Sequence, residues 1–273
     1  MKTSVIKLIV AGMTLALPFA TNAATVIEDF EGSYPGSAGS GWATAWVQTL
    51  GSGVGLNAQL TNTSPLQTGG GQYLSVSLSA TSANSATVNR AFNNTTGIDV
   101  ASPYQVQFAL RLDAALISGQ QISLYASPGS SSVTSSNVSW SIVADSTNGW
   151  LINNGNKSGG VTSQVSTGLS LSSGVTYLFT IDVDPTTKAW NVSIDSTAGN
   201  YDNTGAAFGF RTAATTTMTT PTLSFGGKPG SDGTSLDFSI DNLSITQVPE
   251  PATPALIGLG IALTVVLRRR RIG

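Results

Sequence analysis

The sequence predicts an all-β domain, two antiparallel sheets packed face to face, flanked by an N-terminal signal helix and a short C-terminal transmembrane helix. Three observations predict the sheets. Apolar residues in the middle of the chain recur at every second position, the spacing of strands with one buried face. No long run keeps a helical period. The stretches between alternating runs are rich in Ser, Thr, Gly and Asn, which suit turns and loops. Strands with one polar face need a partner sheet over the other, so the pattern resolves into a sandwich. The segment 24–247 has 224 of the 273 residues, long enough to bury a core without disulfides.

In chain order, strands are predicted at 25–31, 43–49, 73–79, 85–92, 104–112, 120–126, 138–142, 175–183, 190–194, 206–211, 222–226 and 235–246, with a short apolar run at Trp150-Leu151-Ile152. The clearest is 104–112, where Tyr104, Val106, Phe108, Leu110 and Leu112 share one face and Gln105, Gln107, Ala109 and Arg111 the other. Leu74, Val76 and Leu78 stand opposite Ser75, Ser77 and Ser79, and Val138, Trp140 and Ile142 alternate with Ser139 and Ser141. Val175, Tyr177, Phe179, Ile181 and Val183 form a further stripe, followed by Trp190, Val192 and Ile194. Between them, Asp184-Pro185-Thr186-Thr187-Lys188 reads as a turn: Pro185 presets its backbone and Asp184 accepts backbone hydrogen bonds, which makes 175–195 a hairpin. Each large side chain in such a stripe contributes about 1.5–3 kcal/mol on burial, before entropy is subtracted. A second turn is predicted at Asn153-Asn154-Gly155-Asn156, and loops at Ser127 to Ser136 and Ala213 to Thr220. In the last strand Leu236, Phe238 and Ile240 alternate, and Leu243 and Ile245 resume one residue late. A β-bulge at Asp241-Asn242 accounts for the slip.

Composition narrows the chemistry. The chain has no cysteine and no histidine, which excludes disulfides, thiolate and His metal sites, cysteine nucleophiles and the Ser-His-Asp triad. The net charge of −2 is a sum over unlike parts. Lys2 and Lys7 lie at the start and Arg268 to Arg271 at the end, while six basic against 13 acidic residues leave 24–247 at −7. Such a domain is a poor partner for nucleic acid, whose binding rests on Lys and Arg neutralising phosphates. The same charge favours a neutral or cation-bridged glycan over a bare polyanion.

Both ends read as transport signals. Residues 1–23 have a basic start, an apolar stretch from Leu8 to Ala20 and the small-residue sequence Thr21-Asn22-Ala23, the pattern of a signal peptide cut after Ala23. An N-terminal membrane helix is the alternative. The C-terminal segment 248–273 has three parts: Val248-Pro249-Glu250-Pro251, an apolar run from Ala255 to Leu267, and Arg268, Arg269, Arg270 and Arg271. The 13-residue run spans about 20 Å as a helix, against a hydrocarbon core of about 30 Å. The arginines hold its end in the cytoplasm and leave the domain outside. The three parts in this order resemble the PEP-CTERM sorting signal of Gram-negative bacteria. That resemblance implies recognition by an exosortase, a transient anchor in the inner membrane, and delivery to the cell surface or to an exopolysaccharide or biofilm matrix. An ordinary C-terminal anchor is the alternative.

The ends of 24–247 carry a second resemblance. Val26-Ile27-Glu28-Asp29-Phe30-Glu31-Gly32, then Gly41-Trp42, and the closing Phe238-Ser239-Ile240-Asp241-Asn242-Leu243-Ser244-Ile245 are similar to jelly-roll sandwiches of the concanavalin A-like, laminin-G-like and carbohydrate-binding kinds. The resemblance implies that the first and last strands lie side by side, and that Glu31 and Asp241 sit where related modules hold a structural Ca²⁺. A bulge with solvated acids is the alternative. Trp140 and Trp190 share the apolar phase and are expected in the core. Trp42, Trp46 and Trp150 stand near loops and are candidates for stacking on a sugar ring, or for packing at the sandwich edge.

No catalytic residue is assigned. Glu28 and Glu31 are the only glutamates in 24–247 and are near neighbours, whereas glycoside hydrolysis needs carboxylates flanking the scissile bond. Asp182 and Asp184 share a strand face, but Asp184 suits the turn. No Tyr/Arg/Gln set of a polysaccharide lyase, phosphate loop or dinucleotide fingerprint is recognisable, and Gly69-Gly70-Gly71 reads as a loop. The sequence therefore predicts an exported, non-enzymatic surface or matrix protein with a polysaccharide as candidate ligand. A carbohydrate-active hydrolase or lyase on the same sandwich is the alternative, and an adhesive or structural protein without ligand the second.

Overall fold

The computed structural model of the chain describes residues 23–36, 41–66, 71–80, 82–93, 97–127, 138–158, 160–203, 205–211, 220–230 and 233–248. The predicted signal helix, the sorting tail beyond Val248 and most of the two Ser/Thr-rich loops lie outside these residues. Within them the chain is all β: β1 Thr25–Glu28, β2 Val47–Leu50, β3 Val54–Thr61, β4 Tyr73–Ala80, β5 Ala86–Ala91, β6 Tyr104–Leu112, β7 Gln121–Ser127, β8 Trp140–Asp145, β9 Gly149–Gly155, β10 Val161–Ser166, β11 Thr176–Asp184, β12 Ala189–Ser196, β13 Gly199–Asp202, β14 Phe208–Gly209, β15 Thr222–Lys228 and β16 Leu236–Gln247. No helix among the described residues is long and apolar enough to cross a membrane.

The strands form two antiparallel sheets. One runs β13-β12-β11-β6-β16-β4-β3, with β1 also on β16 and β14 also on β12; the other runs β10-β9-β8-β7-β15-β5-β2. Strands β4 to β7 alternate between the sheets, and the late strands return between them, β15 between β5 and β7 and β16 between β4 and β6. This is a two-sheet jelly-roll sandwich.

The alternation read in the sequence decides which side chains meet. Tyr104, Val106, Phe108, Leu110 and Leu112 of β6 and Tyr177, Phe179, Ile181 and Val183 of β11 are all buried. Aromatic rings join the sheets: Phe108 meets Phe225 of β15 edge-on at 5.0 Å, Trp150 of β9 meets Phe179 at 5.0 Å, and Trp140 of β8 meets Trp190 of β12 at 6.3 Å. Such contacts add about 0.5–1.5 kcal/mol each beyond the area they bury. The buried cluster runs from Val26 to Ile245, so the sandwich has its core within residues 24–248.

The predicted hairpin is β11–β12, closed by Asp184, whose Oδ1 accepts the amides of Thr186 and Thr187 at 2.9 and 3.1 Å. Strands β1 and β16 pair, as the jelly-roll resemblance implied. The register of β16 against β6 shifts between Asp241 and Ser244, with Asn242 at φ 50°, so the bulge lies where the slipped phase put it. Other expectations need correction. Strand β9 runs through Asn153, Asn154 and Gly155, and the turn follows it, where Asn156 Oδ1 accepts the amides of Ser158 and Gly160 at 2.8 and 3.0 Å. Only Phe208–Gly209 of the predicted 206–211 strand is paired. Strands β3, β9, β10 and β13 were not predicted, although the apolar run Trp150-Leu151-Ile152 falls in β9.

Candidate functional site

The outer face of the seven-stranded sheet is where chemistry gathers. On β7, Ile122, Leu124 and Ala126 fill the core, which turns Gln121, Ser123 and Tyr125 outward. On β8, Trp140, Ile142 and Ala144 face in, so Ser141 and Val143 face out. Asn153 of β9 and Gln164 of β10 sit opposite one another and continue the row, and Thr87 and Asn89 of β5 and Ser224 of β15 extend it the other way. Side chains on the outer face of a sheet are normally exposed. Here Ser224 is 0%, Ser141 4%, Asn153 5% and Thr87 6% exposed. These side chains are covered, and beside them the face dips into a trough. Its deepest part is a cavity of about 440 Å³ lined by Gln121, Ser123 and Tyr125 of β7, Val138, Ser141 and Val143 at β8, Asn153, Val161, Gln164 and Arg211. That volume lies within the range of small-ligand sites.

The lining holds a row of donors and acceptors in place. Gln164 Nε2 donates to Asn153 Oδ1 at 3.0 Å, and Asn153 Nδ2 donates to Ser141 Oγ at 3.0 Å. Each link fixes a rotamer and leaves capacity over: the second amide hydrogen of Asn153 and the hydroxyl proton of Ser141 have no acceptor among the described residues. Further along, Asn89 Nδ2 donates to Thr49 Oγ1 at 2.8 Å, while Asn89 Oδ1 and Ser224 Oγ are buried without a hydrogen bond among the described residues. Burial pushes the Tyr125 phenol up; the Thr87 and Ser224 hydroxyls stand near enough to pull it partway back, although Ser224 lies outside good hydrogen-bond geometry. The phenol thus stays protonated at neutral pH and presents a ring and a donor. Burial also lowers the pKa of Arg211, and its Nε is buried without a partner among the described residues.

The predicted stacking residues are elsewhere. Trp42, Trp46 and Trp150 are 3%, 5% and 0% exposed, so no sugar ring can lie on them. Trp150 faces inward from β9 against Tyr177 and Phe179. Trp46 stacks on Phe30 at 5.8 Å, and Trp42 covers the Arg90 guanidinium at 4.5 Å and donates to Ile27 O at 3.3 Å. The segment carrying Trp42 and Trp46 folds over the sandwich end, so its aromatics cap the core.

The two predicted metal residues are neighbours. Asp241 is 3% exposed and its Oδ1 accepts, among the described residues, only the adjacent Asn242 amide, at 2.7 Å. Burial raises its pKa, and the charges of Glu31 and Asp29 raise it further. Glu31 is held by the Gln72 amide at 2.7 Å, beside a Gly71 where a Cβ would overlap its carboxylate. No three such acids among the described residues stand close enough to hold a metal ion between them. Glu28 is engaged too, paired with Arg90.

The structure also brings together what the sequence scattered. Tyr125, Gln121, Gln164 and Arg211, from β7, β10 and the segment after β14, line one cavity. The signal was present: Tyr125 is the one aromatic in the polar phase of its strand. Arg211 carried no such mark, because the segment 206–211 was read as a strand.

The comparisons bear on the C-terminal tail and on the fold of the domain. Residues 247–271 match the PEP-CTERM protein-sorting motif. The motif marks a secreted protein that is anchored transiently in the membrane before exosortase processing. Among curated proteins, none matches the chain. Among solved structures, a protein of unknown function from Shewanella oneidensis MR-1 is similar at a TM-score of 0.51 and 16% identity, covering 88% of this chain and 94% of its own. Winged bean acidic lectin, solved with methyl-α-D-galactose, aligns at 0.49 and 11% identity, covering 83% of this chain and 100% of its own. The seed lectin of Lotus tetragonolobus aligns at 0.44 and 12% identity, covering 76% and 100%. At these identities the likeness concerns the fold.

Proposed function

We propose that this chain is exported through a signal peptide, processed by an exosortase at its C-terminal tail, and binds polysaccharide in the cell-surface or extracellular matrix without turning it over. The observation that carries the binding reading is the trough: short hydroxyl and amide side chains, more than nine-tenths buried on an outer sheet face, with hydrogen-bonding capacity left over. The spare amide hydrogen of Asn153 and the Ser141 hydroxyl lie on the cavity and can make further hydrogen bonds to a polyhydroxylated ligand.

Catalysis is the competing reading, favoured by the meeting of Tyr125, Gln164 and Arg211, the residue types a polysaccharide lyase would use. The chemistry favours binding over catalysis. A lyase needs a base to take the proton beside the sugar carboxylate, and burial moves Tyr125 away from that role by raising its pKa. Hydrolysis would need two carboxylates, and the polar groups among the described lining residues are amides, hydroxyls, a phenol and a guanidinium.

Residues 24–248 should be retarded in native gels containing a polysaccharide from a panel of neutral and acidic types, and Tyr125→Ala should lose most of that retardation. Lack of retardation by the whole panel would end the binding reading. A rise in ultraviolet absorbance from unsaturated sugar ends would end the non-enzymatic one.

A structural Ca²⁺ belongs to the same proposal. Oxygen donors suit it, and a buried Asp241 with one hydrogen bond and two acidic neighbours is a carboxylate that a cation would stabilise. Asp241 and Glu31 are the residues that would hold it, with further oxygens from backbone or water.

A further inference from the structure

Arg211 is the single ionic group among the described residues of the cavity. Its backbone is fixed from several sides. Phe210 N donates to Lys188 O at 3.0 Å, Phe210 O accepts from Lys157 N at 2.7 Å, and the Trp190 indole N–H reaches Gly209 O at 3.1 Å. Gly155 lies so close that a Cβ there would overlap the Phe210 carbonyl. The side chain leaving this anchored point lines the trough, and its guanidinium makes no hydrogen bond or ion pair among the described residues. A half-buried charge without a partner destabilises a fold, and nothing described in the chain offsets it. Its planar fork of donors matches a carboxylate in shape and charge. A phosphate group, nearer two negative charges, would call for more than one cation.

We infer that the trough takes a carboxylated sugar, a hexuronate unit of an acidic polysaccharide, with Arg211 as partner of its carboxylate and Ser141 and Asn153 turned to its hydroxyls. The inference rests on the glycan-binding reading and narrows it. It reverses the expectation drawn from net charge. The −7 of residues 24–247 is spread over a whole domain and screened beyond about 8 Å at physiological ionic strength, whereas Arg211 acts at contact.

The test compares polygalacturonate and alginate with their methyl esters, which keep the sugar chain and mask the carboxylate. Binding of residues 24–248 is measured with a chelator present, so that no cation bridges acid to acid. The acid forms should bind roughly tenfold tighter than the esters, the effect of one charge-assisted pair. Arg211→Gln should remove that preference and leave the weaker binding common to both forms. Its melting temperature should stay level or rise, since the replaced group makes no described bond. Equal binding of acid and ester, a preference that survives Arg211→Gln, or a lower melting temperature in that variant would each overturn the inference while leaving glycan binding standing. No binding to either form, together with retardation by neutral polysaccharides, overturns this inference alone. No binding to any polysaccharide overturns both.

Discussion

Arg90 sits on the core side of β5, 4% exposed, and shows how one residue fixes a chain end. Its guanidinium pairs with Glu28 of β1, its Nε donates to Thr44 O at 3.2 Å, and its face lies under Trp42. Burial lowers its pKa to about 10, still far above neutrality, so the charge persists. Glu28→Gln should therefore destabilise the domain by up to about 3 kcal/mol, less than a fully buried pair because Glu28 keeps 18% exposure; the denaturant midpoint checks it. Asp241 behaves in the opposite sense. Its pKa is raised in the folded state, first by burial and then by Glu31 and Asp29, so the fold holds a proton the unfolded chain has released. This group's contribution to stability is present below the ordinary carboxylate pKa and is lost as pH rises through the raised value. In chelator the melting temperature should fall over that window in the wild type and not in Asp241→Asn. Added Ca²⁺ should recover the loss at neutral pH only where Asp241 is present. A wild type indifferent to both chelator and Ca²⁺ would remove the metal from the account. The role of Arg90 could not be read from sequence, because it depends on what the fold places beside it, whereas Asp241 was marked by the slipped phase of the last strand. The tryptophans repeat the point: Trp140 and Trp190 declared their burial by strand phase, while Trp42 and Trp46, which the structure places before β2, did not.

The elements differ in how plainly the sequence announces them, and the difference follows their place in the sheets. Strands β6 and β11 are interior, carry unbroken apolar stripes, and were legible to within a residue. Strand β3 at one edge has a half-exposed face, with Leu56, Ala58 and Leu60 only partly buried, so its alternation is diluted. The edge strand β10, with Ser163, Gln164 and Ser166, and the four-residue β13 have still less apolar content to reveal them. The β16 bulge was legible because a period of two makes a one-residue slip visible. Turn chemistry was equally direct. Asp184 holds two amides and the Thr187 hydroxyl, so Asp184→Ala should cost about 1 kcal/mol in thermal or denaturant unfolding, with the hairpin's amides losing protection first. An unchanged midpoint would mean that Pro185 alone sets the turn.

At the scale of the whole molecule, the two ends of the sandwich meet. Gln247 N donates to Ala24 O at 2.8 Å and Val248 N to Pro103 O at 3.0 Å, so the sorting motif at 247–271 begins at the last hydrogen-bonded residues of the fold. The apolar core lies within 24–248, and processing in the tail should release an intact domain. A Pro249→Ala/Glu250→Ala/Pro251→Ala protein should stay cell-associated and uncut; normal release would reject the exosortase reading. The sorting tail was legible because it is a linear signal. The trough was not, since five separate segments build it and only the sheet order brings them together. Its identity as the binding face is the central claim. It is tested most directly by titrating isotope-labelled residues 24–248 with oligosaccharide fragments of a retained polysaccharide and following the amide and side-chain resonances. The account predicts shifts concentrated at Tyr125, Ser141, Asn153, Gln164 and Arg211. Shifts confined instead to the loop cavity of Asp145 to Asn148 and Gly168 to Leu171 would contradict it.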